Sequence, residues 1–319
     1  MTVRVAILDD YQNVALDSAD WNSLPPDVEL VVFDRHLKGE DAVARALADF
    51  DVAVAMRERT PFPGSLIARL PRLKLLVTTG MRNLAIDIAA ARARDLPVCG
   101  TDTLPYPAFE HTWALILALF KQIPRENRTM HEGGWQLGLS VGLRGKTLGV
   151  LGLGKVGGQV ATLGRAFGMK VVAWSRNLTE ERARECGATR VDEERLFSGS
   201  DVVSIHVVLG DRTRGLVGRR ELGLMKPTAF LVNTSRGPIV DEVALIDALQ
   251  RRAIAGAGID VYDVEPLPAD HPLRKLDNAV LTGHTAYVMD EVYTLAYGQA
   301  VEDIRAWLEG EPIRVLDPR

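Results

Sequence analysis

Through the first hundred residues, short apolar runs alternate with stretches of helical period. The runs are VRVAIL, VELVVF, DVAVAM, LKLLVTT and LPVCG, and between them lie GEDAVARALADF and AIDIAAARARD. Unbroken β-branched runs of this length suit strands buried on both faces, and strands separated by helical stretches call for parallel pairing with crossover helices. The opening MTVRVAILDDY reads as the first strand. From Pro105 to about Met130 the pattern turns helical, as one long helix or as two with a break at Pro124. After HEGGW a second alternation begins at KTLGVLGLG and runs through KVVAWS, DVVSIHVVL, AFLVNTS, AGAGIDVY and NAVLTGH. The last segment, MDEVYTLAYGQAVEDIRAWLEG, is again helical in period. No repeat of solenoid length and no low-complexity tract interrupts the pattern. The prediction is an α/β chain of two doubly wound parallel-sheet halves. In such sheets ligands sit outside the carboxyl ends of the strands, so chemistry is expected in the residues just after each strand.

Composition narrows the setting. The chain has 319 residues, 47% hydrophobic and 25% charged, which is the balance of a soluble globular protein of about two domains. A net charge of −4, from 38 basic and 42 acidic residues, advertises no polyanionic partner such as nucleic acid. Cys99 and Cys186 have neither metal-ligand spacing nor a disulfide framework and read as buried thiols in a reducing compartment, with no metal expected. The start of the chain lacks a basic segment followed by an apolar one, so no signal peptide is expected. The longest apolar run, WALILALF, falls well short of the ~20 residues of a membrane span. The expectation is a cytoplasmic protein with no membrane partner.

The stretch TLGVLGLGKVGGQVATLGRAFG holds Gly152-x-Gly154-x-x-Gly157, after a β-branched strand and before an amphipathic helix. In that context Gly152 permits a tight turn, Gly154 lets backbone approach a pyrophosphate, and Gly157 lets helix and strand pack closely. The helix start, with Lys155 and Val156 in its first turn, offers free N–H groups and a positive dipole end to phosphates. About twenty residues on, an Asp or Glu would bind the ribose hydroxyls of NAD. The chain reads VVAWSRN instead, with Ser175, Arg176 and Asn177 at that place. A hydroxyl and a guanidinium favour a 2′-phosphate, so NADP(H) is the expected cofactor and NAD(H) remains possible if Arg176 simply faces solvent.

Three later strand ends carry ionisable residues. LVNTSRGPIVDE places Thr234 and Arg236 just past an apolar strand, GIDVYDVEPLP places Asp260 at a strand end and Glu265 in a proline-flanked turn, and NAVLTGHTAY places His284 after another strand. These types suit hydride transfer to a 2-oxo acid. A carboxylate needs a fixed bidentate cation, which Arg236 can be, and the carbonyl oxygen needs a proton, which a histidine can give near neutral pH. A carboxylate beside that histidine, with Glu265 the candidate, would hold its tautomer and favour its protonated form. Taken singly, each of the three could equally be a solvated loop residue.

The segment from about Ala108 to His284 resembles the D-isomer-specific 2-hydroxyacid dehydrogenases. The matching blocks are FEHTWALILAL, GKTLGVLGLGKVG, LMKPTAFLVNTSRGPIVDEVALIDAL and AGAGIDVYDVEPLPADHPL, with TTGMRNLAID near Gly80 extending the likeness over nearly the whole chain. The resemblance implies a Rossmann-like cofactor domain over residues 104–285 and a discontinuous flavodoxin-like substrate domain over 1–103 and 286–319. It implies that Arg236 binds substrate, Glu265 partners the histidine, His284 is the acid/base, and Asp260 contacts the nicotinamide carboxamide. It makes Thr79, Gly80 and Met81 a substrate loop whose backbone amides hold a carboxylate. It also implies a homodimer joined through the cofactor domain, with the helix after Glu110 at the interface. The chain departs from the family in three places: Gly283 rather than Pro precedes His284, Met81 and Arg82 replace an aromatic and an acid, and HVVLGDRT lacks a proline. The substrate side chain therefore stays open.

The sequence thus predicts a hydride-transferring oxidoreductase for a D-2-hydroxy acid/2-oxo acid pair, acting as a 2-oxo acid reductase on a small-molecule substrate. A cofactor-sensing binding protein of corepressor type with vestigial chemistry is the alternative of another class. Formate or phosphite oxidation is a third reading. Formate enzymes pair the histidine with a glutamine that GHTAY does not show, whereas phosphite oxidation could use the same Arg–Glu–His set.

Overall fold

A computed structural model describes residues 2–317. Met1, Pro318 and Arg319, which fall inside the domain spans expected from the sequence, lie outside the described residues. The chain divides into two compact units, Met1–Leu104 with Val288–Arg319, and Pro105–Tyr287.

The first unit opens with β1 (Val3–Ile7), β2 (Val28–Val32), α1 (Glu40–Leu47), β3 (Val52–Ala55), α2 (Gly64–Ala68), β4 (Leu75–Thr78), α3 (Ile88–Arg92) and β5 (Val98–Gly100). Its five strands are all parallel in the order β2-β1-β3-β4-β5, a flavodoxin-like winding. VAVA of β3 and LLVT of β4 are buried at every position, which is why they read as unbroken apolar runs rather than alternating ones. The opening strand stops at Ile7, short of the MTVRVAILDDY stretch, because Asp9 takes a left-handed φ of 58° and turns the chain away. The five-residue α2 was not visible as a helix in the sequence, being too short to show a period.

The second unit holds α4 (Pro107–Lys121), α5 (Ile123–His131), β6 (Thr147–Leu151), α6 (Lys155–Ala166), β7 (Lys170–Trp174), α7 (Glu180–Glu185), β8 (Thr189–Arg190) and α8 (Glu193–Gly199). These are followed by β9 (Val202–Ile205), α9 (Arg219–Leu224), β10 (Phe230–Asn233), α10 (Glu242–Gln250), β11 (Gly256–Ile259) and β12 (Ala279–Leu281). The helical stretch after Pro105 is two helices, and the break falls at Gln122, which sits in the left-handed region at φ 54°. Pro124 is not the break but the second residue of α5, where its missing N–H costs no helical hydrogen bond. The seven strands are parallel in the order β12-β11-β10-β9-β6-β7-β8. The winding reverses between β6 and β9, the place where a doubly wound sheet opens a ligand crevice. Neighbouring residues point to opposite faces, so Val203 and Leu231 join one core cluster while Val202 and Val232 join the other.

The last helix, α11 (Asp290–Leu308), returns to the first unit and packs against β4. The chain beyond it runs antiparallel along β5, with Gly100 N donating to Arg314 O at 3.0 Å and Leu316 N to Val98 O at 2.8 Å. Arg314 ties this segment to α11 through Asp303 Oδ1 (3.0 Å), Glu302 Oε2 (2.8 Å) and Gln299 O (2.8 Å). No helix among the described residues is long and apolar enough to cross a membrane.

Asp303 is fully buried and its Oδ2 finds no partner among the described residues. Burial pushes its carboxyl up to about 7, against the opposing pull of Arg314. Between about pH 4 and pH 7 the folded chain therefore holds a proton that the unfolded chain has released, so this group's contribution to stability is lost as pH rises. Asp303→Asn should lessen the fall in melting temperature between pH 5 and pH 8. An unchanged pH dependence in thermal unfolding would refute this account.

Candidate active site

The loop between β6 and α6 is built by close contact. Gly152 has φ +96°, and a Cβ there would lie 2.8 Å from the carbonyl carbon and oxygen of His206. A Cβ on Gly157 would lie 2.0 Å from Gly152 O, so both positions demand glycine for packing alone. Gly154 differs. A Cβ there would meet nothing within 4 Å, and the residue caps the start of α6. The fold's own packing does not require this glycine, and the open space over the helix N-terminus is a cradle that fits a pyrophosphate. Lys155 and Val156 form the first turn beneath it.

Sequence reasoning passed over two residues beside this loop. Arg182 of α7 donates to Leu153 O at 3.2 Å and Gly154 O at 3.4 Å, tying the loop to the next helix. His206 follows β9 and shares a 2.8 Å hydrogen bond with Ser204 Oγ. His206 is half-buried, and desolvation pushes its imidazole down to about 3 and keeps it neutral. Neither residue carries a motif; only the fold brings them to the glycines.

At the end of β7 a cavity of about 170 Å³ has Ser175, Arg176 and Asn177 on one side. Arg212, which sequence reasoning did not single out, lines it from the loop after β9. Trp174, Val207 and Leu216 supply apolar wall. No carboxylate lies within ion-pair distance of Arg176 or Arg212 among the described residues.

The histidine and its carboxylate meet directly. His284 Nδ1 lies 2.6 Å from Glu265 Oε2, and Glu265 Oε1 accepts from Tyr262 N at 2.9 Å. Both carboxylate oxygens are thus held, and Nε2 is the ring nitrogen left to exchange a proton. The Tyr287 ring stands edge-on to the imidazole at 5.5 Å. His284 itself has φ 55°, an uncommon conformation for a non-glycine residue, pinned by its N–H to Asp260 O at 2.7 Å.

Asp260 is the hub of this loop. Its Oδ1 accepts from Thr282 Oγ1 at 2.6 Å and Thr285 N at 2.8 Å, and its Oδ2 accepts from Ala286 N at 3.1 Å. His111 of α4 lies 3.3 Å from the same carboxylate and 2.9 Å from Thr282 Oγ1. Burial alone would raise this carboxyl, but the hydrogen bonds from His111 and Thr282, with the charge of His111 and the Thr285 amide, bring it down to about 2.

Arg236 follows β10 on a loop stitched by Asn233, whose side chain donates to Arg236 O at 3.0 Å and accepts from Ser235 N at 3.0 Å. A Cβ on Gly237 would lie 2.0 Å from the carbonyl carbon of Tyr262, so this loop packs hard against the segment that carries Glu265. The Arg236 guanidinium donates to Ser235 O at 2.7 Å. Thr234 is nearly buried, and its hydroxyl lies 2.8 Å from Thr112 Oγ1 on α4.

In the other unit, Gly80 has φ +123° and its N–H donates to Thr101 Oγ1 at 3.0 Å. Of the three amides expected to hold a carboxylate, Thr79 N–H also has an acceptor, Ala55 O at 3.1 Å, and Met81 N–H is the one with none among the described residues. Thr79 is buried, and its hydroxyl oxygen accepts from Arg57 N at 2.9 Å. Met81 is exposed at the loop tip.

The chain matches the family model of the D-isomer specific 2-hydroxyacid dehydrogenase NAD binding domain over residues 113–286. It is 39% identical over 256 residues to a glyoxylate reductase of Aeropyrum pernix, covering 77% of this chain and 76% of that protein. It is 34% identical over 317 residues to a D-3-phosphoglycerate dehydrogenase of Archaeoglobus fulgidus, covering 98% of this chain and 58% of that protein. The chain thus spans little more than half the length of that relative. The crystal structure of a phosphoglycerate oxidoreductase from Vibrio cholerae O395 aligns with a TM-score of 0.91 at 35% identity, covering 97% of this chain and all of that one.

Proposed function

The chain belongs to the family of D-isomer specific 2-hydroxyacid dehydrogenases, NAD(P)-dependent enzymes, and on that premise we propose that it reduces a small 2-oxo acid to the D-2-hydroxy acid. The 2.6 Å contact between His284 and Glu265 carries this reading. When bound, a reduced nicotinamide would supply a hydride to the carbonyl carbon of the substrate. The carbonyl oxygen, as it gains charge, takes a proton from His284 Nε2, while Glu265 fixes the ring's orientation from Nδ1. Arg236 presents a planar fork that matches the substrate carboxylate with two parallel hydrogen bonds. The cradle over Gly154 would hold the pyrophosphate, and Asp260 keeps the His284 loop in register. Glyoxylate and hydroxypyruvate are substrates that the names of related proteins suggest, while other relatives are named D-3-phosphoglycerate dehydrogenase. Those names give the corepressor reading no support.

The cofactor reading is NADP(H) in preference to NAD(H). Its support is the absence of a carboxylate at the end of β7 and the presence there of Ser175 and Arg176 on the cavity wall. A cytoplasmic setting belongs to the same reading, supported by two buried, unbridged thiols at Cys99 and Cys186.

We also propose a homodimer. The stretch GGWQLGLSV after α5 exposes apolar side chains at every second position from Trp135 to Val141, with Trp135 72% and Leu139 94% exposed. The stretch is nonetheless anchored, by Val141 N to Phe120 O at 3.0 Å and by Gln122 Nε2 to Leu139 O at 3.0 Å. A fixed apolar arm of this kind suits burial against a second copy.

His284→Ala should lower turnover of glyoxylate or hydroxypyruvate by ~10²–10⁴, the range of lost acid–base catalysis, with cofactor affinity preserved. Undiminished turnover would remove His284 from the mechanism. In a panel of glyoxylate, pyruvate, hydroxypyruvate, 2-oxobutyrate and phenylpyruvate, oxidation of NADPH should outpace that of NADH, and Arg176→Ala should weaken NADPH about tenfold while sparing NADH. An equal effect on both cofactors would leave Arg176 without a part in the preference. Sedimentation should give twice the chain mass for the wild type and a lighter species for Leu139→Glu. A monomeric wild type would end the dimer reading.

A further inference from the structure

We propose that Arg212, on the loop after β9, is a second cation for the 2′-phosphate that distinguishes NADPH from NADH, acting together with Arg176. The inference rests on the NADP(H) preference proposed above and adds a specificity residue from a different strand end.

The cavity at the end of β7 brings Arg176 and Arg212 to one space although 36 residues separate them in sequence. At about 170 Å³ it is smaller than the ~300–1,000 Å³ of a pocket for a whole ligand. It suits one end of a dinucleotide, with Trp174, Val207 and Leu216 as apolar wall for a base and Ser175, Arg176 and Arg212 as polar partners for a phosphate. Neither guanidinium is within ion-pair distance of a carboxylate among the described residues, and Arg176 feels the Glu193 carboxylate only at longer range.

The backbone that carries Arg212 is already set. Thr213 Oγ1 accepts from Gly210 N at 2.9 Å and donates to Val208 O at 2.7 Å, while Thr213 N donates to Gly210 O at 2.9 Å. The far end of the turn is held by Gly215 N to Pro238 O at 2.8 Å and Val217 N to Ile239 O at 3.1 Å. Only the side chain must order when an anion arrives, which lowers the entropic cost of binding.

The charges match the ligand. A phosphate monoester carries about −1.5 to −2 at neutral pH, more than one guanidinium compensates. Two arginines and a serine hydroxyl meet that charge. A ribose hydroxyl in the same place is neutral and leaves two like charges on one cavity uncompensated. The pair therefore favours one cofactor and disfavours the other.

The test is calorimetric binding of adenosine 2′,5′-bisphosphate and of 5′-AMP to the full-length chain, as wild type, Arg176→Ala, Arg212→Ala and Arg212→Lys. The wild type should prefer the bisphosphate. Arg212→Ala should cut that preference about tenfold while leaving 5′-AMP binding intact, Arg212→Lys should retain part of it, and the difference should shrink as salt rises. If the wild type prefers the bisphosphate and Arg176→Ala abolishes the preference but Arg212→Ala does not, the role of Arg212 is overturned and the NADP(H) reading stands. Equal weakening of both ligands by Arg212→Ala also overturns it, because the residue would then act through the loop. A wild type that binds both ligands alike overturns the NADP(H) reading and this assignment with it.

Discussion

The candidate acid/base is held in place by one buried carboxylate. A charged group taken out of water is costly unless every lone pair finds a donor, and Asp260 finds them on Thr282, Thr285, Ala286 and His111. Three of those donors belong to the loop around His284, so satisfying the carboxylate and fixing the loop are the same event. The left-handed backbone at His284, unfavourable on its own, is held by the Asp260 carbonyl and the carboxylate together. Gly283 in front of it brings no rigidity, and the hub supplies what a proline would otherwise contribute.

Backbone contact complements this polar clamp. Gly237 lets the loop after β10 touch the backbone at Tyr262, and Gly152 and Gly157 let the loop after β6 fold tightly beside His206. These glycines bring strand-end loops close enough for their side chains to share one space. The functional groups project from loops, while the strands beneath them, buried on both faces, supply the rigidity.

Much of this was legible in one dimension. Strands such as VAVA and FLVN announce themselves because a parallel strand covered on both faces must be apolar throughout, and glycines in a strand–turn–helix context announce a phosphate loop. The break between α4 and α5 was misplaced at Pro124 because a proline in a helix's first turn and one that ends a helix look the same in sequence; the difference is the backbone of Gln122. Arg182, His206 and Arg212 went unnoticed because an isolated arginine or histidine has no pattern, and only its neighbours give it meaning.

The sequence by itself determined the two parallel sheets, the glycine loop and the family, and singled out Arg236, Glu265 and His284 as candidates, because periodicity and motif spacing are local properties of a chain. The tertiary structure decided which of those residues touch. The His284–Glu265 contact and the gathering of donors around Asp260 join residues from different strand ends, as does the cavity that Arg176 and Arg212 both line. Such convergence depends on sheet order and loop closure, neither of which is written at any single position.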